Sequence, residues 1–244
     1  MTGESPSLCQ SGGVSDRRLV VVPALNEEGA VGGVIADVRA VDPTVHIVVV
    51  DDGSTDRTSD VAREAGADVI NLPFNIGVGG ALRAGFRYAR RFGFQVVVQV
   101  DGDGQHNPVH IPELLRALET ADVVIGARFA GVGDYQVRGP RKVAMRLLAR
   151  SLSRRTGERL TDTTSGFRAF NRRAVELFAV DYPAEYLGDT VEALVIAARA
   201  GLRVTQIPVE MRPRTTGTPS QHWFKSSIYL GRVFLALAMS RIRR

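Results

Sequence analysis

Cysteine is almost missing from this chain: Cys9 is the single one in 244 residues. One thiol closes no intramolecular disulfide, so a cytosolic setting is the simplest expectation. Long apolar runs are missing too. No stretch reaches about 18 consecutive apolar residues, which excludes an ordinary membrane-spanning helix within this sequence. Residues 1–16 lack the apolar core of a signal peptide and are rich in Ser and Gly, the composition of a loose tail. There is no internal repeat, no low-complexity segment and no linker long enough to separate a pair of domains. The basic stretches carry no interleaved stacking aromatics before Trp223 and no recognised binding module, so nucleic acid is not an expected partner. His106 and His110 stand four apart with Pro108 between them, and His46 adjoins a buried strand, so zinc is not expected either.

What is present is a large apolar fraction, 44%, enough to bury a sizeable core, and a net charge of +5 that is unevenly placed. From Arg138 to Arg159 eight Lys or Arg face one Glu, and from Met211 to Arg244 seven face no acid. Such blocks call for an anionic partner or a solvated face. Within the first, Lys142, Arg146, Arg150 and Arg154 recur every four residues beside Ala144, Leu148 and Leu152. A helix over Arg141–Thr156 would then lay a cationic ridge beside an apolar stripe, suited to an anionic membrane surface or, alternatively, to packing on the sheet. A last helix from Gln221 onward, with Trp223, Phe224, Ile228 and Phe234 before Arg241, Arg243 and Arg244, repeats the theme.

Apolar runs alternate with helical patterns through the first half. Strands are expected at Leu19–Pro23, Val45–Val50, Ala67–Leu72, Phe94–Val100 and Ala121–Ala127. Helices are expected at Glu27–Val41, Thr55–Ala65, Val78–Arg91 and Pro108–Glu119. Continuous Val/Ile runs, rather than alternating ones, mark strands covered on both faces, so the expected fold is α/β with a mostly parallel central sheet flanked by helices. Downstream the pattern predicts a loop at Thr161–Gly166, a strand at Phe167–Phe170, helices at Arg172–Val180 and Thr190–Ala200, and a strand at Leu202–Met211. The organisation expected is a tail over 1–16, one domain over 17–215 and a C-terminal docking helix over 216–244.

Ligands of such sheets bind beyond the carboxyl ends of the strands, where the polar signals gather. The strand Val96–Val100 delivers Asp101-Gly102-Asp103-Gly104-Gln105. Two carboxylates so close together suit a divalent cation, Mg²⁺ or Mn²⁺, whose usual third party is a diphosphate. An Asp/Gly turn whose carboxylates bond their own backbone is the alternative. Pro23-Ala24-Leu25-Asn26-Glu27-Glu28 turns from a strand into a helix, where backbone N–H groups and the Asn side chain can hold a polar ligand. Asp51-Asp52 precedes Ser54 and Thr55, which can cap the next helix. The pair itself suits ribose hydroxyls or a base edge. The glycines from Gly77 to Gly85 fail the dinucleotide spacing at Leu82 and are better explained by a helix that approaches closely beneath a nucleotide.

Six motifs in order, namely Pro23–Glu28, Asp51–Asp56, Asn75–Gly79, Asp101–Gln105, Gly126–Phe129 and Asp162–Arg168, resemble the family-2 glycosyltransferases of GT-A fold, in the group of dolichol-phosphate mannose synthase and bacterial polyprenyl-phosphate glycosyltransferases. The resemblance covers about residues 18–215. It implies that Pro23, Leu25, Glu27 and Asp51 contact the nucleotide of a sugar donor, with Ala24, Asn26, Asp52, Gly77 and Gly102 beside it. It also implies that Asp101, Asp103 and Gln105 surround the divalent metal. Arg128 and the loop with Asp162, Ser165 and Arg168 would face the sugar and an acceptor phosphate.

A nucleoside diphosphate leaves only when its charge is neutralised, which a cation on Asp103 and an arginine such as Arg128 can do. A lipid phosphate acceptor needs a cationic cradle, for which Arg128, Arg138 and Arg168 are expected. A hydroxyl acceptor would need a base instead, Asp162 first and Asp189 second, unless Asp162 only caps its loop. The expected protein is a metal-dependent transferase at the cytoplasmic face of a membrane, inverting as the resemblance implies. It would use a nucleotide sugar and a polyprenyl phosphate, reaching the bilayer through its basic helices or a small integral membrane partner. The alternatives are a transferase of the same fold acting on a soluble hydroxyl acceptor and a non-catalytic nucleotide- or nucleic-acid-binding module.

Overall fold

The computed structural model describes residues 17–128, 153, 158, 160–183 and 189–213. The expected tail 1–16, Arg138, the basic helix Arg141–Thr156, the side chain of Asp189 and the C-terminal segment 216–244 lie outside the described residues.

The alternating apolar runs fold as β1 (Arg18–Ala24), α1 (Val31–Val41), β2 (His46–Asp51), α2 (Thr58–Glu64), β3 (Asp68–Asn71), α3 (Val78–Arg91), β4 (Val96–Gln99), a 3₁₀ turn (Pro108–His110), α4 (Ile111–Ala117) and β5 (Val123–Ala127). The second half adds β6 (Arg168–Phe170), α5 (Arg172–Asp181), α6 (Asp189–Arg199) and β7 (Val204–Pro208). Seven strands make one sheet in the order β3-β2-β1-β4-β6-β5-β7. The pairs β1–β2, β1–β4, β2–β3 and β5–β7 are parallel, while β6 runs antiparallel to both its neighbours. The mostly parallel α/β sheet expected from the sequence is therefore present. β6 wedges between β4 and β5, a placement that periodicity cannot reveal in a three-residue strand.

Both faces are covered, which is why the strands lack a polar alternation. Leu19, Val21, Val48 and Val50 point to one face with Phe86 of α3 and Phe170, Phe178 and Tyr182 around it. Phe86 meets Phe170 edge to face, with centroids 4.9 Å apart. Val20, Val22, Val49 and Val98 point to the other face, beneath Ile35 of α1 and Leu114 of α4. A Cβ on Gly85 would stand 2.4 Å from Val21 Cγ1, so α3 lies against β1 at a distance only glycine allows. At Gly85 the glycine-rich helix thus approaches the sheet itself.

Two helices start later than expected, and at the second the side chains that looked like caps are tied to a neighbouring loop. α1 starts at Val31 rather than Glu27, and α2 at Thr58 rather than Thr55. Neither Ser54 nor Thr55 caps α2. Ser54 Oγ accepts the Asn26 N–H at 2.9 Å, and the Thr55 N–H donates to Asn26 Oδ1 at 2.9 Å. Asp56 holds the helix start instead, accepting the Thr58 N–H at 2.9 Å.

Candidate active site

The site lies where β1, β2 and β4 end at the carboxyl edge of the sheet. The ladder there continues past the strands. The Ala24 carbonyl accepts the Asp52 N–H at 2.9 Å, and the Pro23 carbonyl accepts the Gly102 N–H at 3.2 Å. Pro23, Ala24, Asp51, Asp52 and Gly102 are thereby brought together on one floor. Above them the loops after β1 and β2 are laced: the Glu27 N–H donates to Thr58 Oγ1 at 2.8 Å, the Glu28 N–H to Asp56 Oδ2 at 3.2 Å, and the Arg57 N–H to Glu28 Oε2 at 2.9 Å. Asn26 adopts φ 54° and uses its side-chain oxygen on Thr55. It therefore shapes the turn. Leu25 and Glu27 are half-buried at the same rim.

Asp51 and Asp52, adjacent in sequence, face different work. Asp51 accepts the Ser54 N–H at 2.8 Å and the Ser59 hydroxyl. Asp52 accepts the N–H groups of Ile76 at 2.8 Å and Gly77 at 2.9 Å, and so fixes the entrance to α3. Its pKa is raised, chiefly by burial, although those two N–H groups pull it down; the charge of Asp51 adds to the rise. The Asp52 carboxylate and the Gly77 N–H are thus engaged with each other.

Asp101, Asp103 and Gln105 share one short loop, each half-exposed. Asp103 Oδ1 accepts the Gln105 N–H at 3.0 Å, and Asp101 Oδ1 accepts from Gln99 Nε2 at 3.1 Å. The loop is strapped from outside. The Arg212 N–H donates to the Gln105 carbonyl at 2.9 Å, and the Glu210 N–H donates to His110 Nε2 at 3.1 Å. Among the described residues, no three of His, Cys, Asp and Glu converge into a closed metal cage. Two hard, half-exposed carboxylates fit a Mg²⁺ or Mn²⁺ that takes its remaining ligands from a diphosphate and water.

Across the site, Arg128 lies at the end of β5. Its Nε donates to Asp162 Oδ2 at 2.7 Å and its Nη2 to Asp162 Oδ1 at 3.1 Å and Thr164 Oγ1 at 2.9 Å. The carboxylate also takes the Arg128 and Thr164 N–H groups, at 3.1 and 3.2 Å. Asp162 is fully buried, which pushes its pKa up, yet the hydrogen bonds and charge of Arg128 outweigh that and hold it below the ordinary carboxylate range. Such a group takes a proton poorly and orients a guanidinium well. Ser165 is buried. Arg168, expected to face an acceptor, is 0% exposed. Its guanidinium donates to the carbonyls of Ser165 at 2.8 Å, Thr163 at 2.9 Å and Thr190 at 2.9 Å. It staples the loop 162–168 to α6.

This geometry has relatives. A model of the family described as glycosyl transferase family 2 matches residues 19–178. The chain belongs to that family. The undecaprenyl-phosphate mannosyltransferase of Micrococcus luteus is 35% identical over 82% of this chain and 86% of its own. The polyprenol monophosphomannose synthase of Mycolicibacterium smegmatis is 33% identical over 88% and 83%. Among solved structures, glucosyl-3-phosphoglycerate synthase from Mycobacterium tuberculosis in complex with Mg²⁺ and UDP superposes with a TM-score of 0.67 and 27% identity, over 92% of this chain and 78% of that one. The expected GT-A glycosyltransferase fold is therefore the fold observed. This family member carries three site features that the sequence did not announce. They are Gln99 and His106, which hydrogen-bond with Asp101, and Gly166, where a Cβ would crowd the Asp101 carboxylate. For His106 a signal exists, since it directly follows Gln105, but its residue type and spacing raise only the question of zinc.

Proposed function

We propose that the chain is an inverting glycosyltransferase that moves a sugar from a nucleoside diphosphate donor to a polyprenyl phosphate. Asp101 and Asp103 would hold Mg²⁺ or Mn²⁺, with Gln105 beside them. The observation that carries this reading is the pairing of a half-exposed two-carboxylate loop on one flank with the Arg128–Asp162 pair on the other. When bound, the cation neutralises the charge that develops on the leaving diphosphate. The remaining work belongs to the chain. The floor from Pro23 to Asp52 seats the nucleotide, and Arg128, aligned by Asp162 and Thr164, steers the acceptor phosphate toward the anomeric carbon. One acceptor oxygen forms a bond to that carbon as its bond to the diphosphate breaks, so configuration inverts and no proton has to move.

That last point favours a phosphate over a hydroxyl acceptor. A hydroxyl needs a base, and Asp162, the first candidate, is buried, paired and held low in pKa. The names of the Micrococcus and Mycolicibacterium relatives point the same way. The basic blocks at 138–159 and 211–244 support a peripheral position at the inner face of the membrane, with an integral membrane partner as a second route to the lipid. Among the described residues no helix is long and apolar enough to cross a membrane. A second reading, transfer to a soluble acceptor, draws on the likeness to glucosyl-3-phosphoglycerate synthase.

Labelled UDP- and GDP-sugars incubated with the protein, Mg²⁺ or Mn²⁺ and vesicles containing polyprenyl phosphate test both. Label extracted into organic solvent, dependent on the lipid, is the expected result. Label that stays in water with a small acceptor would move the assignment to the second reading.

A further inference from the structure

The loop of Asp101 and the loop of Arg168 meet at one carboxylate. The antiparallel register sets Gln99 opposite Arg168 and so brings Gly166 onto the metal loop. Gln99 is 3% exposed and reaches Asp101 Oδ1 through its Nε2 at 3.1 Å. On the next side the Asp101 N–H donates to His106 Nδ1 at 2.9 Å. Nδ1 therefore carries the lone pair. His106 Nε2 lies 3.6 Å from Asp101 Oδ2, beyond hydrogen-bond distance. The imidazole is 4% exposed and stacks on Phe167, with centroids 5.0 Å apart and planes at 18°. Gly166 closes the third side. A Cβ there would stand 2.8 Å from Asp101 Oδ2 and 3.0 Å from Gln99 Nε2.

We propose that Gln99 and His106 are positioning residues that aim the Asp101 carboxylate at the divalent cation, and that Gly166 leaves the room this aim requires. The inference rests on Asp101 being a metal ligand. Its physical content lies in the choice of partners. A carboxylate in a short loop turns about two torsions, and a ligand that turns is a weak one. An arginine or lysine would fix it but cancel the charge the cation needs. The neutral amide of Gln99 fixes the carboxylate and leaves that charge intact, the His106 ring fixes the Asp101 main chain through Nδ1, and the carboxylate keeps acceptor sites beyond the amide. Because Gly166 and Phe167 belong to the loop that runs from Asp162 to Arg168, the same contacts join the acceptor loop to the metal loop. A shift in one displaces the other.

Mn²⁺ affinity tests this without reference to turnover. The full chain, saturated with UDP or GDP, is titrated with Mn²⁺ while the paramagnetic resonance of the free ion is followed. Gln99→Met fills the space without a donor. His106→Phe keeps the ring on Phe167 but loses the acceptor, whereas His106→Asn keeps an acceptor and loses the ring. Gly166→Ala presses on the Asp101 carboxylate oxygens and on the Gln99 amide that holds them. The expected result is Mn²⁺ binding weakened about 10-fold or more in Gln99→Met, His106→Phe and Gly166→Ala, and less in His106→Asn. Nucleotide affinity in chelator should stay unchanged. A merely structural role for His106 reverses the order, with the Phe variant like the parent and the Asn variant worse. That order, or Mn²⁺ affinities within about twofold of the parent, overturns the proposal. If a ring or amide replacement unfolds the chain, Gly166→Ala decides alone. A parent protein that binds no Mn²⁺ defeats the metal reading itself, and the inference with it.

Discussion

On one flank of the site, the carboxylates of Asp51, Asp52 and Asp103 receive main-chain N–H groups; on the other, Asp162 receives a guanidinium. Hydrogen bonds from neutral donors fix a carboxylate and leave its charge in place, while a bidentate arginine cancels it. The donor flank therefore stays negative and can attract a cation. On the acceptor flank the charges of Asp162 and Arg128 balance inside the protein, so what this pair offers a substrate is direction more than net charge. The two flanks are also fixed differently: the first by the ends of parallel strands, the second by the antiparallel β6 and the staple of Arg168.

Substitutions can break that contrast, and the largest effect is expected on the donor flank. Asp103→Asn keeps the shape of the loop but removes half of the charge that would hold the cation. Transfer should fall by about 10²-fold or more, with the melting temperature close to the parent's. Transfer that persists would mean the donor flank needs no negative charge.

The next effect belongs to the acceptor flank and shows in stability. Asp162→Asn puts a neutral amide in a fully buried place, where it faces the guanidinium of Arg128, itself 25% exposed. A loss of about 3 kcal/mol is expected, seen as a fall in melting temperature of about 6–12 °C. A change under about 1 kcal/mol would mark the pair as a surface ion pair in effect.

Acid titration sharpens the contrast through its sign. Asp162 has a folded pKa below its ordinary 3.8, so its contribution is present above that value and is lost as pH falls through the folded pKa. The stability gap between the parent and Asp162→Asn should therefore widen as pH rises from about 3 to 5. Asp52 has a folded pKa raised by burial, so ionising it costs the folded state as pH climbs past 3.8. The gap between the parent and Asp52→Asn should narrow over the same range. Melting curves at several pH values read both slopes, and slopes of equal sign would refute the distinction.

The smallest effect concerns the turn that laces the donor loops. At φ 54° Asn26→Val should cost about 2 kcal/mol, and Asn26→Gly under about 1 because relief of the backbone offsets the lost bond to Thr55. Chemical denaturation of the two variants checks the order.

Much of this is legible in the residues. The runs at Leu19–Pro23 and Val96–Val100 read as strands because both sheet faces are covered, and the acids after them fall at the carboxyl edge because parallel strands put them there. Side-chain assignments within the site are less legible. Asp52, Asn26 and Arg168 have the residue types of ligand binders, but each is engaged with main-chain groups that come from elsewhere in the chain. Sequence order does not show such partners. Gln99 and Gly166 are silent in the sequence for a related reason: their meaning depends on β6 lying beside β4, a pairing across more than sixty residues set by the tertiary fold.

The central claim is that a divalent ion on Asp101 and Asp103 grips the diphosphate of an activated sugar. Titration calorimetry of UDP- and GDP-sugars into the full chain, with Mn²⁺ or Mg²⁺ and again with chelator, tests it most directly. At least one donor should bind about 10-fold tighter or more with the ion, about 1.4 kcal/mol, and Asp103→Asn should erase the difference. Equal affinities with ion and with chelator for every donor would contradict it.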